Sequence, residues 1–398
     1  MRIAHIITRM IVGGAQENTL LTCRGLIEEY GDDVLLLTGP ALGPEGSLIE
    51  RERSESRAGD EVPTHAIASL RREIHPLRDW QAFRAIKQSL REFEPDVVHT
   101  HSAKGGFLGR IAASRLKIPA IVHTVHGAPF HPYQSHAARS TFRACEKYAA
   151  RRCHRLVSVA DAMTDLLVDA GVAPREKFTT IYSGMEVEPF LHARDTRDQV
   201  RAELGYGEDD IVLAKVARLF HLKGHEFLLQ AAPKIRERSP NIKFLLIGDG
   251  ILRGELEKQI HELGLEKQFQ FTGLVPPARI PSLLGAADIV CHLSLREGLA
   301  RVLPQSLLAG VPVISYDIDG AREVVRTGQT GFLLQPKSID PLVDAVVQLA
   351  SDADLRSQLA EQGRAVCEDR FRWQTMVRQL RELYEQLLSS NPSQTEAV

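Results

Sequence analysis

Short apolar runs alternate with helix-length amphipathic segments along nearly the whole chain, and this pattern constrains the fold more than any single motif does. Residues 33–38 form one such apolar run, and residues 76–93 form one such helical segment. After a charged stretch that ends near Glu208, the series starts again at residues 211–217. Alternation of this kind is typical of stacked βαβ units, which build a mainly parallel sheet covered by helices. The sequence therefore predicts an α/β protein with two doubly wound domains.

The length of the chain agrees with two domains. A chain of 398 residues, 43% of them hydrophobic, is too long for one ordinary core and suits two domains of roughly 200 residues each. We place these domains at residues 1–185 and 186–370. Residues 371–398 are predicted to form a C-terminal helix that could cross back to the first domain, and then a disordered tail. Residues 39–63, rich in Gly, Pro and charge, are predicted to form a mobile loop.

Charge, cysteine usage and hydropathy exclude several classes of protein. A net charge of −2 provides no global attraction to nucleic acid, and we expect none as a partner. The cysteines are scattered and odd in number, which argues for reduced thiols rather than a disulfide or zinc framework. No segment reaches the roughly 18–20 uncharged apolar residues that cross a bilayer, and the first residues lack the apolar core of a signal peptide. We therefore expect a cytoplasmic protein that meets a membrane, if at all, at its inner surface.

Two glycines stand between the first predicted strand and the first predicted helix. Gly13 and Gly14 let the backbone pass close to a ligand, and a helix that starts there offers N–H groups to an anion. The spacing is not the G-x-G-x-x-G fingerprint of dinucleotide-binding proteins. A tight turn between strand and helix explains the same residues equally well. The pair on its own is therefore a weak indication of a phosphate contact.

Two cations follow the first strand of the second domain. Arg218 comes directly after the apolar run 211–217, and Lys223 precedes Gly224 at the start of a helix. We expect both cations to lack a nearby acidic partner. A guanidinium fork and an ammonium at the carboxyl edge of a sheet can hold a diphosphate. For any single pair of this kind, two solvated loop cations are the commoner interpretation.

The segment 294–314 carries the strongest signal. A strand ends in Glu297, a loop containing Gly298 starts a helix, and Gly310 with Pro312 ends that helix before the next strand. Such a loop can present a carboxylate and backbone N–H groups to a polyhydroxylated ligand. Helix capping and packing explain any one of these residues but not the whole segment.

These motifs together resemble the retaining glycosyltransferases of family 4, which have the GT-B fold, and in particular members from bacterial exopolysaccharide and cell-envelope biosynthesis. Gly13 and Gly14, Arg218 with Lys223, and the segment 297–313 occur in the order of the family's landmarks. The resemblance covers essentially all of the second domain and, more loosely, the first. It implies two Rossmann-like domains that face each other across a cleft, the first binding an acceptor and the second a nucleotide sugar.

The resemblance also implies a role for each matching residue. Glu297 accepts hydrogen bonds from hydroxyls of the donor sugar, and Arg218 with Lys223 neutralises the diphosphate in place of a metal ion. His126 lines the sugar pocket beside the reacting carbon and completes the catalytic set. The residues implied in donor and nucleotide binding are Gly13, Gly14, Arg218, Lys223, Gly298, Leu299, Ala300, Arg301 and Gln305. No metal ion and no cofactor are implied, because the nucleotide sugar is a substrate.

One position departs from the family pattern. The family has a second glutamate, which holds the ribose of the nucleotide, where this chain has Gln305. An amide still accepts a hydrogen bond from a hydroxyl and can also donate one. It lacks the charge of a carboxylate, so we expect the substitution to affect nucleotide binding more than chemistry.

Two further patterns imitate metal sites. Asp317 and Asp319 form a D-x-D pair, but hard cations recruit further oxygen ligands that are not evident here. Histidines cluster at His99, His101, His123, His126, His131 and His136. A zinc site is one interpretation of this cluster, but without cysteine or carboxylate partners at ligand spacing we favour structural or ligand-lining histidines.

A basic helix is predicted at residues 135–152. Arg139, Arg143, Lys147 and Arg151 recur at a spacing of four residues, which places them on one helix face. Such a face suits an anionic membrane or a polyprenyl phosphate, and an ordinary solvated surface explains it equally well.

The resemblance implies a metal-independent transfer, with retention of configuration, from a nucleotide-diphosphate sugar to a glycan or polyprenyl-linked acceptor. A UDP-sugar is the expected donor. Two alternatives stay open. A sugar-nucleotide epimerase of the related fold would form product from the donor alone. A non-catalytic sugar-nucleotide-binding protein would bind the donor without turnover, and Gln305 is the feature that favours it.

Overall fold

The computed structural model describes residues 1–42, 46–55 and 61–390, and it divides into two compact units. The first unit contains Met1–Met185 together with residues 372–390, and the second contains Glu186–Phe371. The predicted tail lies almost wholly outside the described residues, as do residues 43–45 and 56–60 of the predicted loop.

A seven-stranded parallel sheet forms the centre of the first unit, with the order β3-β2-β1-β4-β5-β6-β7. Its strands are β1 Arg2–Ile7, β2 Asp33–Thr38, β3 Thr64–Ala66, β4 Val97–His101, β5 Ala120–Val125, β6 Arg155–Ser158 and β7 Phe178–Thr180. Its helices are α1 Gly14–Tyr30, α2 Leu48–Glu55, α3 Pro76–Phe93, α4 Ala103–Leu116, α5 His136–Ala150, α6 Asp161–Asp169 and, from the end of the chain, α15 Trp373–Ser389. Every residue of β4 and β5 is buried, as expected for parallel strands covered on both faces.

The last helix belongs to the core of the first unit. Met376, Leu380 and Tyr384 on α15 join the buried cluster that also contains residues of β1, α1 and β4. Gly25 on α1 allows close packing, since a Cβ atom there would lie 2.7 Å from the ring of Trp373. Arg381 donates to the buried carboxylate of Asp32 at 2.9 Å. The chain therefore returns to the first unit after passing through the second.

A six-stranded parallel sheet forms the centre of the second unit, with the order β10-β9-β8-β11-β12-β13. Its strands are β8 Ile211–Val216, β9 Ile242–Ile247, β10 Phe269–Gly273, β11 Ile289–His292, β12 Val313–Tyr316 and β13 Gly331–Leu334. Its helices are α7 Glu188–Leu191, α8 Arg197–Leu204, α9 His225–Arg238, α10 Arg253–Glu262, α11 Ile280–Ala286, α12 Val302–Leu308, α13 Ile339–Ser351 and α14 Ala353–Cys367. A buried ion pair between Arg201 and Asp288, 3.1 Å apart, fixes α8 against the start of β11.

The two doubly wound sheets confirm the predicted fold class. The predicted loop at 39–63 is wrong at residues 48–55, which form α2. Helices α7 and α8 were not predicted either, since they are short and charged and show little apolar periodicity. None of the five cysteines, all within the described residues, forms a disulfide. No helix in the described ranges combines the length and the apolar character that crossing a membrane requires.

Candidate functional site

The candidate site of the second unit lies where the strand order of its sheet reverses. Strand β8 pairs with β9 on one side and with β11 on the other, so the loops after β8 and β11 leave the same edge side by side. The crevice at such a switch point is the usual ligand site of open α/β sheets. Arg218 and Lys223 lie in the first loop, and Glu297 lies in the second. The fold thus places three sequence-predicted residues at one edge of the sheet.

Lys223 and Glu297 are bonded to each other, which corrects the prediction that Lys223 lacks an acidic partner. The ammonium Nζ donates to Oε1 of the carboxylate across 74 residues of sequence. The two loops are also joined through their backbones, because Leu295 N–H donates to Leu222 O at 2.9 Å. The side chains of the pair are 23% and 25% exposed, so both charges stay accessible to a ligand. The sequence alone does not reveal this contact, because it depends on β8 and β11 lying side by side in the sheet.

Glu297 is held ionised by its surroundings. Burial alone would raise its pKa, but the imidazole of His292 and the ammonium of Lys223 outweigh it, and the pKa falls to about 2. His292 Nε2 lies 3.8 Å from the carboxylate, and the backbone N–H of Glu297 donates to Asp319 at 2.6 Å. At neutral pH this carboxylate can only accept hydrogen bonds. It is therefore suited to bind hydroxyl groups.

His292 and Asp319 are functional candidates that the sequence interpretation missed. His292 is the last residue of β11 and is 3% exposed. Asp319 was considered only as half of a metal-binding pair, whereas it fixes the backbone at Glu297. Asp317, its presumed partner, forms a two-pronged ion pair with Arg322 at 3.0 and 2.8 Å. His292 could have been identified from the sequence by its position at the end of a strand.

Arg218 leaves the carboxyl end of β8 as predicted. Its guanidinium lies 5.0 Å from the centre of the Phe220 ring. Its backbone carbonyl accepts a hydrogen bond from His225 Nε2 at 3.0 Å. Burial lowers the pKa of His225 to about 3, so this imidazole is neutral and its proton is available for the bond. The start of α9 is thereby attached to the loop that carries both cations.

The loop after Glu297 leads into α12. Gly298 is buried, and its carbonyl accepts from Gly320 N–H at 3.0 Å. The next three residues, Leu299, Ala300 and Arg301, are half-buried and directly precede the helix. Gln305 is half-buried in the middle of α12. The fold brings these residues to the same edge as Glu297, and their binding roles stay predictions.

The remaining predicted residues belong to the first unit and follow strands β1 and β5 of its sheet, whose strand order reverses between β1 and β4. Gly13 directly precedes α1, and Gly14 is its first residue, at the carboxyl side of β1. His126 directly follows β5 and is half-buried. Its Nε2 lies 3.1 Å from Nδ1 of His101, at the end of β4.

Three buried histidines of the first unit lie close enough to suggest a metal site. The ligand atoms of His5, His99 and His101 all fall within 4.8 Å of one another. Both ring nitrogens of His99 are already bonded, to Tyr384 Oη at 2.5 Å and to Thr124 Oγ1 at 2.7 Å. His5 Nδ1 and His101 Nε2 are 3.0 Å apart, a hydrogen-bond distance. The described contacts of the cluster form a hydrogen-bonded network, and the structural role of these histidines stays a prediction.

The cations of the predicted basic helix are exposed. Arg139, Arg143 and Lys147 lie on α5, and Arg151 directly follows its last residue. Glu146, the acid among them, is buried and pairs with Arg110 at 2.9 Å. It therefore does not neutralise the exposed face.

Sequence comparison identifies both halves of the chain. Residues 13–184 match the family model described as a glycosyl transferase 4-like domain, and residues 196–366 match glycosyl transferases group 1. An Escherichia coli UDP-Gal:alpha-D-GlcNAc-diphosphoundecaprenol alpha-1,3-galactosyltransferase is 27% identical over 355 residues, covering 88% of each chain. Spore coat protein SA of Bacillus subtilis is 31% identical over 246 residues, which cover 58% of this chain and 64% of that protein.

Solved structures share the fold over nearly the whole chain. HepE of Anabaena in complex with UDP-glucose superimposes with a TM-score of 0.81 at 22% identity, covering 97% of this chain and all of that one. Sucrose-phosphate synthase of Thermosynechococcus elongatus has a TM-score of 0.81 at 20% identity, covering 98% of this chain and 100% of the other. These structures share the fold, and the two family models together match residues 13–184 and 196–366, so the chain belongs to the family 4 glycosyltransferases of the GT-B fold.

Proposed function

We propose that this glycosyltransferase moves a sugar from a UDP-sugar to a glycan or polyprenyl-linked acceptor in cell-envelope or polysaccharide synthesis, with retention of configuration and without a metal ion. The observation that carries the proposal is the Lys223–Glu297 pair at the switch point of the second unit. It combines a hydroxyl-binding carboxylate with an ammonium at the edge where a nucleotide sugar would bind.

The charges at this edge fit the two ends of an activated sugar. The carboxylate of Glu297, whose pKa is lowered to about 2, would accept hydrogen bonds from sugar hydroxyls at neutral pH. Lys223 has three N–H donors, so it can hold Glu297 and still donate to a phosphate oxygen. Arg218 adds a guanidinium fork, which matches phosphate geometry. These cations would stabilise the charge that develops on the departing diphosphate.

The relatives support the choice of donor and acceptor. The Escherichia coli protein is named for UDP-galactose and a diphosphoundecaprenol acceptor, and HepE was crystallised with UDP and UDP-glucose. Gln305 retains an acceptor and a donor for the ribose hydroxyls, where the family has a carboxylate. Retention would follow from attack on the face that the diphosphate leaves, through an oxocarbenium-like transition state, and the anomeric signal of the product would verify it.

A donor screen tests the proposal directly. Thermal unfolding would be followed with UDP-, GDP-, ADP- and dTDP-sugars, each in the presence of EDTA. A donor at about 100 times its dissociation constant stabilises the folded state by roughly 2.7 kcal/mol. We expect a rise in Tm with UDP-sugars that EDTA does not abolish. Stabilisation only by another nucleotide class, or only when Mg²⁺ replaces EDTA, would contradict the corresponding part of the proposal.

The exposed cations of α5 provide a separate test of the acceptor. Reversing the charge at Arg139, Arg143 and Lys147 should weaken binding to vesicles that contain anionic lipid, by roughly 1 kcal/mol per residue at the surface. Donor binding should stay unchanged, since α5 carries none of the residues implied in donor binding. The exposed Lys234 and Arg238 of α9, each paired with an aspartate, offer a control for surface charge. Unaltered vesicle binding of the α5 variant would reject this membrane contact.

A further inference from the structure

A chain of hydrogen-bonded histidines leads from the interior of the first unit to His126. His5 Nδ1 lies 3.0 Å from His101 Nε2, and His101 Nδ1 lies 3.1 Å from His126 Nε2. The three residues come from β1, the end of β4 and the position after β5, which are adjacent strands. His5 and His101 are completely buried, whereas His126 is half-buried. This histidine chain therefore has one end buried inside the unit, at His5, and one end at the carboxyl edge of the sheet, at His126.

Both buried members are neutral. Burial lowers the pKa of His5 to about 3. Burial, together with the neighbouring imidazoles, lowers the pKa of His101 well below its ordinary value. A neutral imidazole carries one N–H and one bare nitrogen, so each ring donates at one nitrogen and accepts at the other. A chain of such rings has only two arrangements, with all protons pointing towards His126 or all pointing away.

The buried end of this histidine chain decides between these arrangements. His5 Nε2 is buried and has no hydrogen-bond partner among the described residues. If the protons pointed away from His126, His101 would donate to His5 Nδ1, and His5 would carry its proton on this orphaned nitrogen. In protein interiors a backbone N–H without an acceptor is rarer than a carbonyl without a donor, and we apply the same preference to this ring. The favoured arrangement places the proton of His5 on Nδ1 and that of His101 on Nδ1.

We propose that His101, supported by His5, is a positioning residue that donates from Nδ1 to His126 Nε2 and thereby fixes His126 as the Nδ1–H tautomer. This inference rests on the proposed function for its consequence. In this tautomer Nε2 of His126 is an acceptor engaged by His101, and Nδ1–H is the donor of the ring. His126 is therefore prevented from acting as a base through Nε2.

Histidine tautomers are visible in ¹⁵N NMR spectra of the full chain labelled at its imidazole nitrogens, without any substrate. The signals of His126 among the 15 histidines are identified by their loss in a His126→Asn variant. We expect a protonated Nδ1 and a bare, hydrogen-bonded Nε2 in the wild type. A protonated Nε2 on His126 would overturn the proposal, whatever its donor turns out to be.

Two variants of His101 separate orientation from mere packing. The amide of Asn occupies the position of histidine Nδ1, and the amide of Gln occupies that of Nε2. His101→Asn should keep a donor for His126 and preserve its tautomer, whereas His101→Gln should lose both. Each variant removes one hydrogen bond made by the same buried side chain. A loss of stability that both variants share therefore reflects packing, and only a difference between the variants reflects the orientation of His126. Identical His126 signals in the two variants would contradict the inference.

Activity adds a third comparison. Hydrolysis of UDP-galactose, in which water takes the galactosyl group and UDP is released, should have a kcat roughly tenfold lower in His101→Gln than in His101→Asn, with KM nearly unchanged, as for loss of a partner that orients a functional imidazole. UDP binding, measured by titration calorimetry, should be the same in both variants. Equal kcat values in the two variants would count against the positioning role. If the wild type neither binds UDP nor releases it, the proposed function fails, and the NMR spectra still decide the tautomer.

Discussion

An enzyme with Arg218→Ala and Lys223→Met is expected to transfer sugar about 10³ times more slowly than the wild type, a loss of about 4 kcal/mol in transition-state stabilisation. Both cations lie at the edge of the sheet where the diphosphate would leave, and charge on the leaving group is larger in the transition state than in the ground state. The loss should therefore appear mainly in kcat. The measurement is initial-rate kinetics with a UDP-sugar at saturating acceptor.

Lys234→Met is the matched control for this variant. Lys234 lies on α9, and it forms an exposed pair with Asp340 at 2.7 Å. The control makes the same lysine-to-methionine change as Lys223→Met, in the same unit, without touching the candidate site. We expect it to leave kcat unchanged. Near-normal turnover of the double variant would show that these cations do not serve the leaving group.

The Lys223→Met variant should also have a characteristic pH dependence. The pKa of Glu297 is about 2 in the folded protein, below the ordinary value of 4.5, so its stabilising effect is complete above about pH 4.5 and is lost as the pH falls towards 2. Removing Lys223 lets this pKa rise. The advantage of the wild type in unfolding free energy, about 1 kcal/mol at pH 7 for a partly solvated pair, should shrink over this range. A constant or growing advantage would contradict this account.

Gly224→Ala is expected to destabilise the protein by about 3–4 kcal/mol. Gly224 precedes α9 with a φ of +71°, and a Cβ atom there would lie 1.9 Å from the carbonyl oxygen of Leu293. Neither the left-handed backbone nor the contact with rigid backbone can be relieved by rotating a side chain. Since Gly224 follows Lys223 and Leu293 leads to Glu297, the same substitution should separate the pair and lower donor affinity. Thermal unfolding and donor titration measure the two effects.

Gly205→Ala isolates the effect of the contact. Gly205 ends α8 with a φ of +76°, yet a Cβ atom there would have nothing within 4 Å. It shares the backbone strain of Gly224 without the clash, so we expect a loss of about 1 kcal/mol and unchanged donor binding. Equal loss of stability in the two variants would mean that the close approach of α9 to β11 is unimportant.

Local patterns were sufficient for the regular elements. Helix α3 spans the predicted residues 76–93, and α1 begins at the predicted glycines, because the helical periodicity is long and Pro76 marks the start of α3. Helix α8 has eight residues, mostly charged, and it is fixed by a tertiary ion pair with Asp288, which no local pattern records. Helix α2 was likewise missed within the predicted loop because it is short and charged.

The sequence by itself determined the two parallel α/β units and the chemical types at the candidate site, because strand and helix periodicity and the order of motifs along the chain are local properties. Only the tertiary structure decided which of these residues meet. Lys223 and Glu297 are 74 residues apart, and they meet because β11 lies beside β8 in the sheet. The histidine chain likewise exists because β1, β4 and β5 are neighbours. Contacts of this kind depend on strand order. Strand order, in turn, is selected by the burial of the whole hydrophobic core.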